Sequence, residues 1–253
     1  LQFGLYDNPI REFHWATDGL PPPQIVVNYQ AWEQNPASLW RFARLAHAHG
    51  AEVFAELGTT GCQCGDVTLQ AVAAGQYDGY LLAFAAGVRA LGFPVLITFD
   101  HEMNGTWYPW GAENYSPSAW VQAWRHVVDV MRPVAPNAVW VWAPNTEYGA
   151  APVGPYWPGA AFVDQVGLDC YIVSAGQTFA SQCGSTVAAI RSLTPDPLML
   201  AETGIEADGH RPSQVGPLVR AAESAGMTGL VYFDSGGSYL HRPGQRAMAS
   251  ALG

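Results

Sequence analysis

The sequence predicts a single (β/α)8 barrel, of the TIM-barrel α/β class, and three observations carry that reading. Eight short apolar runs of strand length recur along the 253 residues. Amphipathic helical stretches stand between most of them. No linker, low-complexity segment or charge run divides the chain, so residues 1–253 read as one domain.

The apolar runs are 3–6, 25–29, 51–56, 95–99, 139–142, 163–171, 198–201 and 230–233. Each is short and nearly continuous in its apolar character. That is the pattern of a parallel strand covered on both faces. Residues 36–49 carry Leu39, Phe42, Ala43 and Leu45 at helical spacing. Residues 80–91 do the same with Leu81, Phe84, Ala85 and Val88. Residues 117–131 align Trp120, Val121, Trp124, Val127, Val128 and Met131 behind Ser116, a natural N-cap. Further helices are expected at 186–193 and 212–225. Gly50, Gly92 and Gly226 stand where helices should stop. The first and fifth connections look irregular.

Composition narrows the possible partners. The chain is 49% hydrophobic and 13% charged, enough for one large core. Its net charge is −10, and all eleven non-histidine basic residues are Arg. No basic footprint for nucleic acid exists, and an anionic membrane surface would repel the chain. A neutral ligand suits it better. Ten Trp residues suggest an aromatic-lined groove as well as a packed core. Cys62, Cys64, Cys170 and Cys183 permit two disulfides or four thiols, and pairing stays open. They show no zinc spacing, and no metal or cofactor is expected. No leader or membrane-spanning run is legible. A secreted monomer with its signal peptide already removed is expected.

In such barrels the C-terminal strand ends carry the site. Here they present Asp7, Asn8, Asn28, Tyr29, Glu56, His101, Glu102, Asn145, Asp169, Tyr171, Glu202 and Asp234. Glu102 ends the fourth strand and Glu202 the seventh, across the mouth from each other. A carboxyl pair of this kind cleaves glycosidic bonds. The run His101-Glu102-Met103-Asn104-Gly105-Thr106-Trp107-Tyr108-Pro109-Trp110 sets one of those acids beside three aromatic rings. Such rings stack on the apolar faces of pyranoses. Trp110 and Tyr108 suit a loop core as well as a sugar platform. Trp120, Trp124 and Trp140 read as packing.

Several blocks resemble glycoside hydrolase family 26. They are Gly75-Gln76-Tyr77-Asp78, Gly92-Phe93-Pro94-Val95, the His101–Trp110 run, Tyr156-Trp157-Pro158-Gly159, Val163-Asp164-Gln165-Val166-Gly167-Leu168-Asp169-Cys170-Tyr171 and Pro197-Leu198-Met199-Leu200-Ala201-Glu202-Thr203-Gly204. The resemblance implies a retaining β-glycanase acting on a neutral polysaccharide. An endo-β-1,4-mannanase comes first, and a β-1,3-1,4-glucanase or other β-glycanase second. Glu102 would be the acid/base and Glu202 the nucleophile. His101, Asn104, Trp107, Tyr171, Glu56, Trp110 and Asp234 would contact substrate, with Tyr171 bonded to the nucleophile. Two departures stand out. Thr98 occupies the family's usual Arg position, and Phe233 with Asp234 stands where a Trp is usual. As part of an extended strand, Thr98, Asp100 and Glu102 would share one face. A catalytically silent carbohydrate-binding barrel is the reading from a different class.

Overall fold

The computed structural model describes residues 1–7, 19–60, 67–205, 212–235, 240 and 242–253. Eight parallel strands close in chain order, β1 pairing with both β2 and β8. They are β1 (Gln2–Asp7), β2 (Ile25–Ala31), β3 (Glu52–Gly58), β4 (Val95–Phe99), β5 (Ala138–Trp142), β6 (Gln165–Ile172), β7 (Leu198–Ile205) and β8 (Gly229–Asp234). Around them lie α1 (Ala37–Ala48), α2 (Leu69–Ala73), α3 (Asp78–Leu91), α4 (Pro117–Met131), α5 (Phe179–Leu193), α6 (Pro212–Ser224) and α7 (Arg242–Leu252). The barrel is the one expected.

Local chemistry explains the element ends. The Ser116 side chain accepts the Ala119 N–H and caps α4. Thr178 and Ser181 form a reciprocal capping box at the start of α5. The helix expected at 186–193 is therefore only the second half of α5, which runs on through Gly184. Gly50, Gly92 and Gly226 all adopt the left-handed backbone that ends a helix. The irregular fifth connection holds two short 3-10 turns, Gly154–Tyr156 and Ala160–Phe162. Helices α2 and α7 lie outside the expected set.

Two apolar layers hold the barrel. Its interior is filled by Ile25, Val27, Phe54, Leu96, Val141, Met199 and Val231. Gly167 lets β6 approach this core: a Cβ there would lie 2.6 Å from that of Ala201. The outer layer packs strands on helices. It buries Trp120, Trp124, Trp140 and Trp142 completely, and truncating one such ring costs about 3–5 kcal/mol. A disulfide joins Cys170 of β6 to Cys183 of α5. Cys62 and Cys64 lie outside the described residues. Among those described, no helix is long and apolar enough to cross a membrane.

Strand register fixes the level of the site. Tyr29, Glu56 and Thr98 align across β2, β3 and β4. Asp169 of β6 faces Glu202 of β7. All five stand toward the C-terminal ends of their strands.

Candidate active site

The β4 tip is held in an unusual backbone. The strand ends at Phe99, and Asp100 and Glu102 both adopt positive φ, 47° and 52°. Non-glycine residues rarely do so unless their surroundings enforce it. Here the main chain is tied from four sides. Asp100 N–H donates to Leu57 O at 2.9 Å, and Glu102 N–H to Ala143 O at 2.8 Å. The indoles of Trp110 and Trp120 donate to the His101 and Asp100 carbonyls. These turns break the extended alternation assumed for Thr98, Asp100 and Glu102. The Asp100 carboxylate instead accepts the Thr59 N–H at 2.8 Å and the Thr59 hydroxyl.

Glu202 reaches the mouth through a bulge. Met199 and Ala201 belong to the barrel interior, so strict alternation would turn Glu202 outward. The β6–β7 register slips between Leu168 and Asp169, and that of β7–β8 between Leu200 and Thr203. A bulge of this kind re-aims a side chain. Glu202 is buried, and both its oxygens accept tyrosine hydroxyls. Tyr171 donates to Oε2 at 2.7 Å, and Tyr29 donates to Oε1. Phe233 lies edge-on to both tyrosine rings and stacks on Tyr6. Burial pushes the Glu202 carboxyl up, and the two hydroxyls oppose it by favouring the anion.

Glu102 has a different setting. Asn145 Nδ2 donates to its Oε1, and the Trp107 indole donates to Oε2 at 2.6 Å. Burial and then the negative Glu202 push its carboxyl up to about 8, against the pull of those two donors. One carboxyl thus keeps its proton near neutrality beside a partner whose anion is favoured by two tyrosine hydroxyls. That is the division of labour a proton donor and a nucleophile require.

Glu56 and His101 form a third buried unit. Glu56 Oε2 lies 3.1 Å from His101 Nδ1, and His101 Nε2 lies 3.1 Å from the Tyr108 hydroxyl. Burial, then Glu202 and Glu102, raises the Glu56 carboxyl well above its usual range. Burial also lowers His101 to about 3. Both shifts favour the uncharged forms, an acid and an imidazole, facing Glu202. Asp169 is likewise raised by burial and by the surrounding carboxylates. Among the described residues, Glu56, His101 and Glu202 offer ligand atoms within 4.8 Å of one another, a spacing that would suit a cation. Tyr29 already occupies one oxygen of Glu202, and His101 Nδ1 faces Glu56, which fits control of carboxylate charge.

The structure brings Glu102, Glu202, His101, Glu56, Trp107 and Tyr171 together. The other expected contacts lie elsewhere. Asn104 is fully buried and bonds the backbone of Asn145 and Ala151. Trp110 is buried, stacks on Tyr108 and supports His101 from below. Asp234 accepts the Leu240 N–H. Thr98 is buried level with Glu56, so no cation stands at that position. Tyr29 and Asn145 were legible only as polar strand tips, yet each bonds one of the central carboxylates.

A family model described as glycosyl hydrolase family 26 matches residues 69–208. Endoglucanase H of Acetivibrio thermocellus is 34% identical over 117 residues, which is 43% of this chain and 13% of that protein. Mannan endo-1,4-beta-mannosidase A and B of Caldalkalibacillus mannanilyticus is 38% identical over 88 residues, 32% of this chain and 17% of that protein. The matched stretches thus span less than a fifth of either relative. The catalytic domain of the Bacillus sp. JAMB-750 endo-beta-1,4-mannanase superposes with a TM-score of 0.78 at 17% identity. That match covers 98% of this chain and 84% of that one.

Proposed function

The chain belongs to glycosyl hydrolase family 26, and from that premise we propose that it is a secreted, retaining endo-β-1,4-mannanase. Glu102 is its acid/base and Glu202 its nucleophile. The unequal environments of the two buried carboxyls carry this reading. In the first step a Glu202 oxygen attacks the anomeric carbon. The glycosidic C–O bond breaks as Glu102 gives its proton to the departing oxygen. In the second step Glu102 takes a proton from water, whose oxygen displaces Glu202 from the sugar. Tyr29 and Tyr171 keep Glu202 ionised before attack. The net charge of −10 disfavours a polyanion, so the substrate is a neutral polysaccharide. The Cys170–Cys183 bond suits an oxidising compartment outside the cell.

Mannan comes first because of the similarity to a mannan endo-1,4-beta-mannosidase. Mixed-linkage β-1,3-1,4-glucan comes second because of the similarity to endoglucanase H. The test is hydrolysis of mannan, glucomannan, mixed-linkage glucan and β-1,3-xylan, with the first product's anomer followed by NMR. Wild type should release β-anomeric product, and Glu202→Ala should be silent. An α-anomer formed first would overturn retention. Equal inertness of both proteins would leave a carbohydrate-binding barrel.

A further inference from the structure

Few large apolar side chains are exposed among the described residues, and only three stand on loops that leave C-terminal strand ends. They are Trp107 after β4, Tyr148 after β5 and Val173 after β6. Trp107 is 49% exposed and Tyr148 66%. The indole N–H of Trp107 is engaged by Glu102, but Tyr148 belongs to no part of the catalytic constellation described above.

The loop that carries Tyr148 is tightly held. At its start, Asn145 N–H donates to Asn104 Oδ1 at 2.8 Å, and Asn104 Nδ2 donates back to Asn145 O at 2.8 Å. At its far end, Asn104 Nδ2 reaches Ala151 O at 3.0 Å, and Ala151 N–H donates to Asn104 O at 2.9 Å. Glu147 N–H donates to Thr186 Oγ1, and the Glu147 carboxylate accepts the Val153 N–H. Both feet of residues 145–151 are thus clamped to one residue of the Trp107 loop. The two loops form a single rim. A segment fixed at so many points that still turns its largest ring to solvent is a preorganised platform.

The chemistry gives that rim its side. Glu102 donates to the departing oxygen, and its two hydrogen-bond partners, Trp107 and Asn145, come from these same two loops. The rim therefore borders the leaving-group half of the chain. We propose that Tyr148 is a stacking platform for a pyranose unit on that half, beyond the unit nearest Trp107. This rests on the proposed glycanase function. It makes Tyr148 a determinant of chain-length preference, acting on polymer and leaving the bond-breaking step alone.

The test compares Tyr148→Ala and Tyr148→Phe with wild type on two substrates. One is soluble glucomannan. The other is an aryl β-mannobioside whose leaving group is a single ring. Tyr148→Ala should raise KM on glucomannan about five- to tenfold, with both constants on the aryl substrate unchanged. Tyr148→Phe should behave as wild type, because stacking needs the ring and not the hydroxyl. A shift of equal size on both substrates, or none on either, overturns the proposal. An exposed loop residue should leave Tm unchanged, which a melt of each variant checks. If wild type cleaves no glycan, the glycanase reading has failed, and affinity electrophoresis in glucomannan gels then reads the platform alone. Retardation of wild type but not of Tyr148→Ala supports it, and equal mobility overturns it.

Discussion

Glu102 and Glu202 start as the same side chain, and the donors around them set them apart. Tyrosine hydroxyls favour the Glu202 anion, while burial beside a negative neighbour lifts Glu102 to about 8. The pH profile of kcat/KM should therefore be bell-shaped. Its alkaline limb near pH 8 reports loss of the Glu102 proton, and its acid limb reports protonation of Glu202. Tyr171→Phe removes one donor from the anion. A hydrogen bond to a charged group contributes about 1.5–3 kcal/mol, or about one to two pH units. The acid limb should rise by about that much while the alkaline limb stays. Equal movement of both limbs, or of neither, would mean that Tyr171 does not tune Glu202. Tyr171 was legible as the partner of Glu202 through the family motif. Tyr29 was not, because its bond to Glu202 spans 173 residues and exists only once the barrel closes. The bulge that aims Glu202 inward was equally hidden, since strand alternation carries no mark of it.

At the scale of elements, β6 bears the most closely packed site residues: Asp169, Cys170 and Tyr171 follow one another. The first and third face the carboxylate cluster, and the second is bonded to Cys183 on α5. The disulfide closes a separation of 13 residues, and constraining a loop of that size stabilises by about 3 kcal/mol. The Cys170→Ala/Cys183→Ala double variant should lose about 2–4 kcal/mol in urea unfolding at pH 6. A loss below about 0.5 kcal/mol would mean that the capping box and core packing already hold α5 to β6. The eight strands were legible because each is buried on both faces and reads as an apolar run. Helix α5 was legible only in its second half, since Gly184 reads as a break while the Thr178–Ser181 box that starts the helix lies five residues ahead of any clear periodicity. Helix α7 was missed for a related reason. Its segment opens Arg242-Pro243-Gly244 and buries only Gly244 and Met248 among its side-chain positions, too little for an apolar stripe.

Taken whole, the molecule gathers buried acids at one end of the barrel, and this sets how its stability responds to pH. Glu56, Asp100, Glu102, Asp169 and Glu202 are all raised, burial being the largest cause for each. An acid raised in the folded state binds its proton more tightly there than in the unfolded chain. Its contribution is fully present below the unfolded value near 4 and is lost as pH rises through the folded value, which for Glu102 is about 8. His101 acts in the opposite sense. Lowered to about 3, it costs stability as pH falls below the unfolded value near 6.5. Five acids outweigh one imidazole, and above pH 6.5 the imidazole has no further effect. Self-repulsion of a chain with net charge −10 has the same sign as the acids. Tm should therefore fall from pH 5.5 to pH 8.5. Glu56→Gln separates the cluster from the overall charge, because it keeps the shape of a neutral carboxyl and cannot ionise. The Tm difference between the variant and wild type should shift in the variant's favour from pH 5.5 to pH 8.5, which differential scanning calorimetry at the two pH values reads directly. A wild-type Tm that holds or climbs over that range would mean that the cluster is ionised in the folded protein, with charges supplied from elsewhere on the rim to balance it.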